Sequence, residues 1–134
     1  MKEIGELNLP DDALYSDDHE WARLEGKTVR VGISDYAQDR LGDITFVEMP
    51  ELGATFKRGA EFGTVESTKA VSELLMPIGG EIVAVNETLE ESPDLLNQDP
   101  YGAGWIIEVK PHDPSELDSL MTKEDYVKML EGMD

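Results

Sequence analysis

Lys69 sits in the middle of Gly63-Thr64-Val65-Glu66-Ser67-Thr68-Lys69-Ala70-Val71-Ser72-Glu73, two extended arms that meet at a bend. A lysine at a hairpin tip stands clear of the fold, where another enzyme can reach its amine. The commoner fate of a turn lysine is to be solvated and nothing more, and spacing by itself does not separate the two. Ser67 and Ser72 lie nearby, but no histidine in the same segment is placed to activate either hydroxyl. Asp17-Asp18-His19-Glu20 carries hard metal ligands. Read as a strand, however, four consecutive side chains alternate between faces and do not converge on one ion. His112 comes just before a proline-capped helix start and reads as a linker residue. The chain has no cysteine, which excludes disulfides, thiolate metal sites and cysteine nucleophiles. Neither a glycine-rich phosphate loop nor a catalytic triad is present in the sequence.

The elements that must hold Lys69 are short. Residues 19–34 alternate through Trp21, Leu24, Val29, Val31 and Ile33 around Glu25-Gly26-Lys27, the pattern of a β-hairpin. Asp35 to Gly42 has a polar cap, a short apolar stripe and a closing glycine, which predicts one or two helical turns. A strand follows, with Ile44, Phe46 and Glu48 expected on one face and Thr45, Val47 and Met49 on the other, stopped by Pro50. Residues 61–67 and 71–76 form the arms around Lys69, and Ile82-Val83-Ala84-Val85 is a further strand. Asn86 to Gly104 reads as a long loop with one helical turn, since Pro93, Pro100 and several acids interrupt any longer pattern. Trp105 to Val109 reads as a buried strand ended by Pro111, with the Trp21 and Trp105 indoles as core anchors. Asp113, Pro114 and Glu116 mark a helix start, and Thr122 to Asp125 marks a second, carrying Tyr126, Val127, Met129 and Leu130. Short strands followed by carboxy-terminal helices imply a mostly β fold, a small antiparallel sandwich or barrel with helices at its edge. The strands are spaced too closely for the crossover helices of a parallel sheet.

The 134 residues suit one domain that buries roughly two thirds of its unfolded surface, and a hydrophobic content of 40% lies above the disordered range. The formal charge of -19 repels phosphate backbones and anionic lipid headgroups, so neither nucleic acid nor a membrane is expected as a partner. Such a surface suits docking into basic clefts on other proteins; it also serves solubility, and composition does not choose between these. Met1 to Pro10 lacks the apolar run of a signal peptide, Glu3 and Glu6 argue against a transit peptide, and a cytoplasmic location is expected.

From Tyr15 to Leu130 the chain resembles the glycine cleavage H proteins. The matching stretches are Asp18-His19-Glu20-Trp21, Val31-Gly32-Ile33-Ser34-Asp35-Tyr36-Ala37-Gln38, Leu41-Gly42-Asp43-Ile44 and Phe46-Val47-Glu48-Met49-Pro50. They continue with Gly63-Thr64-Val65-Glu66-Ser67, Leu89-Glu90-Glu91-Ser92-Pro93, Asp99-Pro100-Tyr101-Gly102 and Gly104-Trp105. Many motifs in the right order carry weight that one would not. The resemblance implies a lipoyl/biotinyl-like barrel-sandwich hybrid, with residues 1–14 as an amino-terminal extension and 15–134 as one carrier domain whose terminal helices begin at about 113. It also implies that Lys69 bears lipoic acid in amide linkage, and that Glu66, three residues before it, and Gly80, eleven after it, serve recognition by lipoylating enzymes. Gly80 as a plain turn glycine and Glu66 as a strand-end charge are compatible additional roles. Biotin-carrier domains share such a hairpin, but their lysine usually sits between methionines, whereas Thr68 and Ala70 flank Lys69. Near the tip the chain departs from the commoner family pattern at Thr68 (often valine), Leu75 (often tyrosine) and Gly79 (often serine).

In the role that the resemblance implies, the protein is a carrier and not an enzyme. It takes the aminomethyl group of glycine from the P protein, a pyridoxal-phosphate decarboxylase, to the T protein, the aminomethyltransferase. Reducing equivalents go to the L protein, dihydrolipoamide dehydrogenase. A monomer is expected, and the absence of cysteine removes thiols that could trap a lipoyl disulfide. A resting cleft for the arm is expected beside the hairpin, lined by strand residues and the Asn86–Gly104 loop. The alternatives are an H-like carrier or lipoate relay serving another complex, and an unmodified acidic interaction module.

Overall fold

The hairpin encoded by residues 19–34 forms the centre of the larger sheet. Strands β2 (Glu20–Glu25) and β3 (Thr28–Ile33) pair from Glu20↔Ile33 to Glu25↔Thr28, turning through Gly26 and Lys27. In this computed structural model, which describes residues 2–133, Val29 and Val31 face the main core with Ala22, while Trp21, paired with Gly32, enters a second cluster on the other face. Met1 and Asp134, the outer ends of the two expected ranges, lie outside the described residues. Strand β1 (Leu14–Tyr15) pairs with β2. Strands β4 (Ile44–Glu48), β5 (Thr55–Phe56), β6 (Glu61–Ser67), β7 (Val71–Leu75), β8 (Gly80–Val85) and β9 (Ile107–Pro111) complete the set. One sheet runs β1-β2-β3-β9-β8-β5 and the other β4-β6-β7, with every pairing antiparallel. The expected small antiparallel β-sandwich is therefore what the chain adopts.

The main core lies between the two sheets and includes Val31, Ile33, Val47, Val65, Leu74, Ile82, Ile107 and Val109. A second cluster, built on Tyr15, Trp21, Tyr101, Tyr126 and Leu130, joins the two ends of the chain, with Leu9 and Ala13 buried in it. Tyr15 and Tyr126 stack with ring centroids 4.7 Å apart. Tyr126 belongs to the terminal helix, Lys123–Met133, at whose start the Asp125 N–H donates to the Thr122 hydroxyl oxygen. The Trp21 indole is fully buried and donates to the Pro100 carbonyl at 3.0 Å. Among the described residues no helix is long and apolar enough to cross a membrane.

Several local expectations are corrected. A β-bulge between Ile44 and Phe46 breaks the strict alternation of β4. Ile44 and Val47 consequently both point inward, while Thr45, Phe46 and Glu48 are exposed. The segment 86–104 holds two single-turn helices, not one, because Leu89 and Leu96 each bury a fully enclosed side chain as an anchor. Trp105 precedes β9 and is half-buried, with the Arg30 guanidinium stacked 4.8 Å from its ring centroid. The Pro114 start opens a 3-10 turn, Pro114–Ser119, with Asp113 capping Ser115 N–H. Asp17 to His19 form a turn and not a strand, with His19 at φ +70°.

Glu20, at the start of β2, is 2% exposed. Its carboxylate accepts the Ser16 hydroxyl at 2.9 Å and the Leu75 N–H at 3.4 Å. Burial pushes its pKa from 4.5 up to about 8, and these hydrogen bonds offset only part of that rise. A carboxyl whose pKa is raised on folding binds its proton more tightly in the folded chain. Its favourable contribution is thus complete below the unfolded value and lost as pH climbs through the folded one. Between pH 4.5 and about 8, the unfolding free energy from denaturant titrations should fall, each pKa unit being worth about 1.4 kcal/mol. Glu20→Gln should flatten that decline; an unchanged pH slope in the variant would show that Glu20 is not its source.

Candidate functional site

The arms of the Lys69 hairpin are β6 and β7, in register as Thr64↔Glu73, Val65↔Ser72 and Glu66↔Val71. Their inward residues Val65 and Leu74 are buried in the main core, so the hairpin is anchored along its length while its tip projects. Four residues make the turn. Ser67 N–H donates to the Ala70 carbonyl at 2.8 Å. The Ser67 hydroxyl oxygen then accepts from the N–H groups of Lys69 (3.2 Å) and Ala70 (3.1 Å). This is the serine-centred turn that a side-chain oxygen can impose on the two residues after it. Ser67 therefore shapes the turn.

The turn is also tied to the body of the protein. Thr68 N–H donates to the Asp43 carbonyl at 3.1 Å, in the loop between helix α1 (Asp35–Leu41) and β4. Gly42 ends α1 at φ +78°, its N–H returning to the Gln38 carbonyl at 3.0 Å. A β-carbon at Gly42 would stand 3.2 Å from Lys69 Cε, so the lysine stem passes directly over this glycine. Both the left-handed backbone and the close approach favour glycine here. The Lys69 side chain is exposed, and among the described residues none hydrogen-bonds or ion-pairs with its Nζ. An amine so placed can be acylated without dismantling any internal interaction.

The loop beneath the lysine is held by Asn97, a residue that no motif or spacing signalled. Its Oδ1 accepts the Ile44 N–H at 2.9 Å, and its Nδ2 donates to the Gly42 carbonyl at 2.8 Å and to Gln38 Oε1 at 3.0 Å. Gln38 Nε2 in turn donates to Asp35 Oδ1 at 2.6 Å. Asp35 also accepts from Lys2 Nζ and the Asn8 N–H, each at 2.8 Å. Burial opposes ionisation of Asp35, but the donors Asn8 N–H, Lys2 and Gln38 together outweigh it and hold its pKa below the usual carboxylate value. The amino-terminal segment, α1 and the floor of the lysine are thus connected by side-chain hydrogen bonds.

The other two expected site residues lie differently. Glu66 is on the last stretch of β6, half-buried, between Phe46 of β4 and Val71 of β7. Gly80 is not in the hairpin's sheet: it pairs with Phe56 and Pro111 in the six-stranded one. A β-carbon there would run into the Lys110 carbonyl oxygen and a Val109 methyl group, so the close approach of β8 to β9 depends on it. Two clefts among the described residues are lined by segments other than the Asn86–Gly104 loop. The larger, about 500 Å³, lies between the Ser16–Asp18 turn, Arg58-Gly59, Met76-Pro77 at the end of the hairpin's second arm, and Ser119–Met121. Within loop 86–104, Leu89 and Leu96 are buried and Asn97 accepts the Ile44 N–H.

Residues 13–133 match the model of the family described as "Glycine cleavage H-protein". The chain is 51% identical over 124 residues to the glycine cleavage system H protein of Anoxybacillus flavithermus, covering 92% of this chain and 98% of that one. The corresponding protein of Thermus thermophilus is 50% identical over 126 residues, covering 94% and 98%. Among solved structures, the crystal structure of a glycine cleavage system H protein from Mycobacterium marinum superimposes with a TM-score of 0.85. It is 40% identical, over 92% of this chain and 99% of that one.

Two substitutions test these placements. Asn97→Leu leaves the Gly42 carbonyl and Ile44 N–H without their partner and should cost about 2–4 kcal/mol in denaturant unfolding. In the same variant, hydrogen exchange at Ile44 should accelerate more than at core amides of β3; uniform acceleration would place the role of Asn97 elsewhere. Gly80→Ala should lower stability by about 1–3 kcal/mol through overpacking between β8 and β9, read as a lower thermal midpoint. An unchanged midpoint would mean that the two strands separate at no cost.

Proposed function

The chain belongs to the glycine cleavage H-protein family, and from that membership we propose that Lys69 is the residue that bears its lipoyl group. Proteins of this family are the lipoyl carriers of the glycine cleavage system. The observation that supports Lys69 is the pairing of an unengaged, exposed amine with a turn and floor that are both hydrogen-bonded. Such an amine is presented at a defined place without being held by the protein, and an amide formed on it would remove one positive charge from an already acidic surface.

A lipoyl group held on Lys69 would supply the disulfide–dithiol chemistry on which group transfer and electron transfer depend. This chain's part is to orient and deliver. The β6–β7 arms set the direction of the tip, Ser67 fixes the turn, and Gly42 leaves room for the lysine stem. Because the reacting atoms belong to the attached group, the protein acts as a cosubstrate and not a catalyst. Its partners on this reading are the P, T and L proteins and the lipoylating enzymes. It works as a monomer in the cytoplasm, and the acidic surface suits basic docking sites on those partners. Glu66, close to the lysine along β6, is a recognition residue for lipoylation; Gly80 contributes to recognition through the spacing of β8 and β9 that it permits.

Intact mass of the protein from lipoate-replete host cells, followed by peptide mapping, tests the assignment. One lipoyl increment on the peptide containing Lys69, absent in Lys69→Arg, is expected. A wholly unmodified mass would shift the reading to an interaction module, and a modified protein inert with P and T proteins would shift it to a lipoate relay.

A further inference from the structure

Five large apolar side chains are well exposed among the described residues: Leu24, Phe46, Leu52, Val71 and Val83. Leu24 lies in β2, Leu52 in the turn before β5 and Val83 in β8. Phe46 and Val71 lie on two strands of one sheet and flank the same residue, since Phe46 is the partner of Glu66 on one side and Val71 is its partner on the other. Directly paired residues of neighbouring strands project from the same face about 5 Å apart. Phe46, Glu66 and Val71 therefore form one row across the outer face of the three-stranded sheet. Phe46 is 49% and Val71 66% exposed. The next row down the same face, Glu48, Thr64 and Glu73, is polar and acidic. The bulge that reverses Ile44 relative to Phe46 is what turns the phenyl ring outward, into this row.

We infer that this row is the docking surface for the enzyme that attaches the lipoyl group, the inference resting on Lys69 as the attachment site. Two physical points select that occupant. First, a partner that covers Phe46 and Val71 also covers the carboxylate between them, and desolvating a carboxylate is costly unless a cation meets it. The row thus fits a surface with two apolar seats on either side of an arginine or lysine, and the acidic row beside it repels a partner of the opposite character. Second, before modification the reacting atom is Lys69 Nζ itself, two residues from Val71 and three from Glu66 in the chain. Any enzyme that acylates that amine must close over the tip and meet the row. Partners that act on the finished group meet it at the end of a long arm and can do so without touching the row.

The test compares attachment with use of the attached group. Phe46→Thr/Val71→Thr keeps residues that favour strands, so the sheet should persist, as checked by an unchanged unfolding temperature; Val71→Lys at the more exposed position is the second variant. With the host's lipoylating enzyme and an activated lipoyl donor, the KM for each variant, read by mass, should rise about tenfold or more, as expected for loss of interface anchors. Once lipoylated by prolonged incubation, the variants should support glycine cleavage within twofold of the parent. Lipoylation of the variants at the parent's KM, or an equal loss in attachment and in cleavage, would overturn the inference. A parent chain that takes up no lipoyl group at all would overturn the carrier reading, and this inference would fall with it.

Discussion

The hydrogen bond from Thr68 N–H to the Asp43 carbonyl joins two parts of the molecule that obey opposite demands. A lysine that other proteins must reach has to be exposed, and exposed turns are ordinarily loose because little apolar contact holds them. Here the turn carries no buried apolar residue, so its order has to come from hydrogen bonds. Ser67 supplies them from within, and Asp43 supplies one from outside. The outside contact is only as firm as the loop that offers it. Asn97 secures that loop at both Gly42 and Ile44, using all of its amide's polar groups. The rest of the arrangement follows from this tie: Gly42 must be bare for the lysine stem to pass, and α1 must end where it does for Gly42 to lie there.

Two enclosed carboxylates show how local donors decide charge in so acidic a chain. Asp35 gathers a lysine, a backbone N–H and a glutamine amide, and stays ionised despite burial. Glu20 has only a hydroxyl and a longer backbone contact, and burial prevails, raising its pKa. The first is a structural junction for the amino-terminal segment and α1. The second keeps a proton between β2 and the end of β7. Most of the remaining acidic groups lie at the surface, where they can act on partners more than on the fold.

Much of the architecture is legible along the chain because it is local. The 20–33 hairpin, α1 with its closing glycine, the two arms around Lys69 and the capped terminal helix each follow from period, turn residues and caps within a few positions. The bulge in β4 is not legible, because Ile-Thr-Phe-Val-Glu alternates well enough to suggest an unbroken strand. Which of Ile44 and Phe46 turns inward depends on how β4 meets β6 and on the core beneath it. Likewise, Leu89 and Leu96 look like isolated apolar residues in a broken loop until the core they fill is known.

The sandwich class, the hairpin, the lysine at its tip and the family whose motifs surround it are all readable along the chain. These rest on periodicity, turn chemistry and ordered motifs, all of which are properties of neighbouring residues. What lies under and beside that lysine comes from folding: Asn97 beneath the 42–44 loop, Asp35 joining the amino-terminal segment to α1, and Phe46 and Val71 on either side of Glu66. The physical reason is separation along the chain. Asn97 acts 53 residues from Ile44, and Asn8 N–H acts 27 from Asp35. Nothing in the local pattern of either residue encodes a partner that the folding of two sheets alone brings within 3 Å.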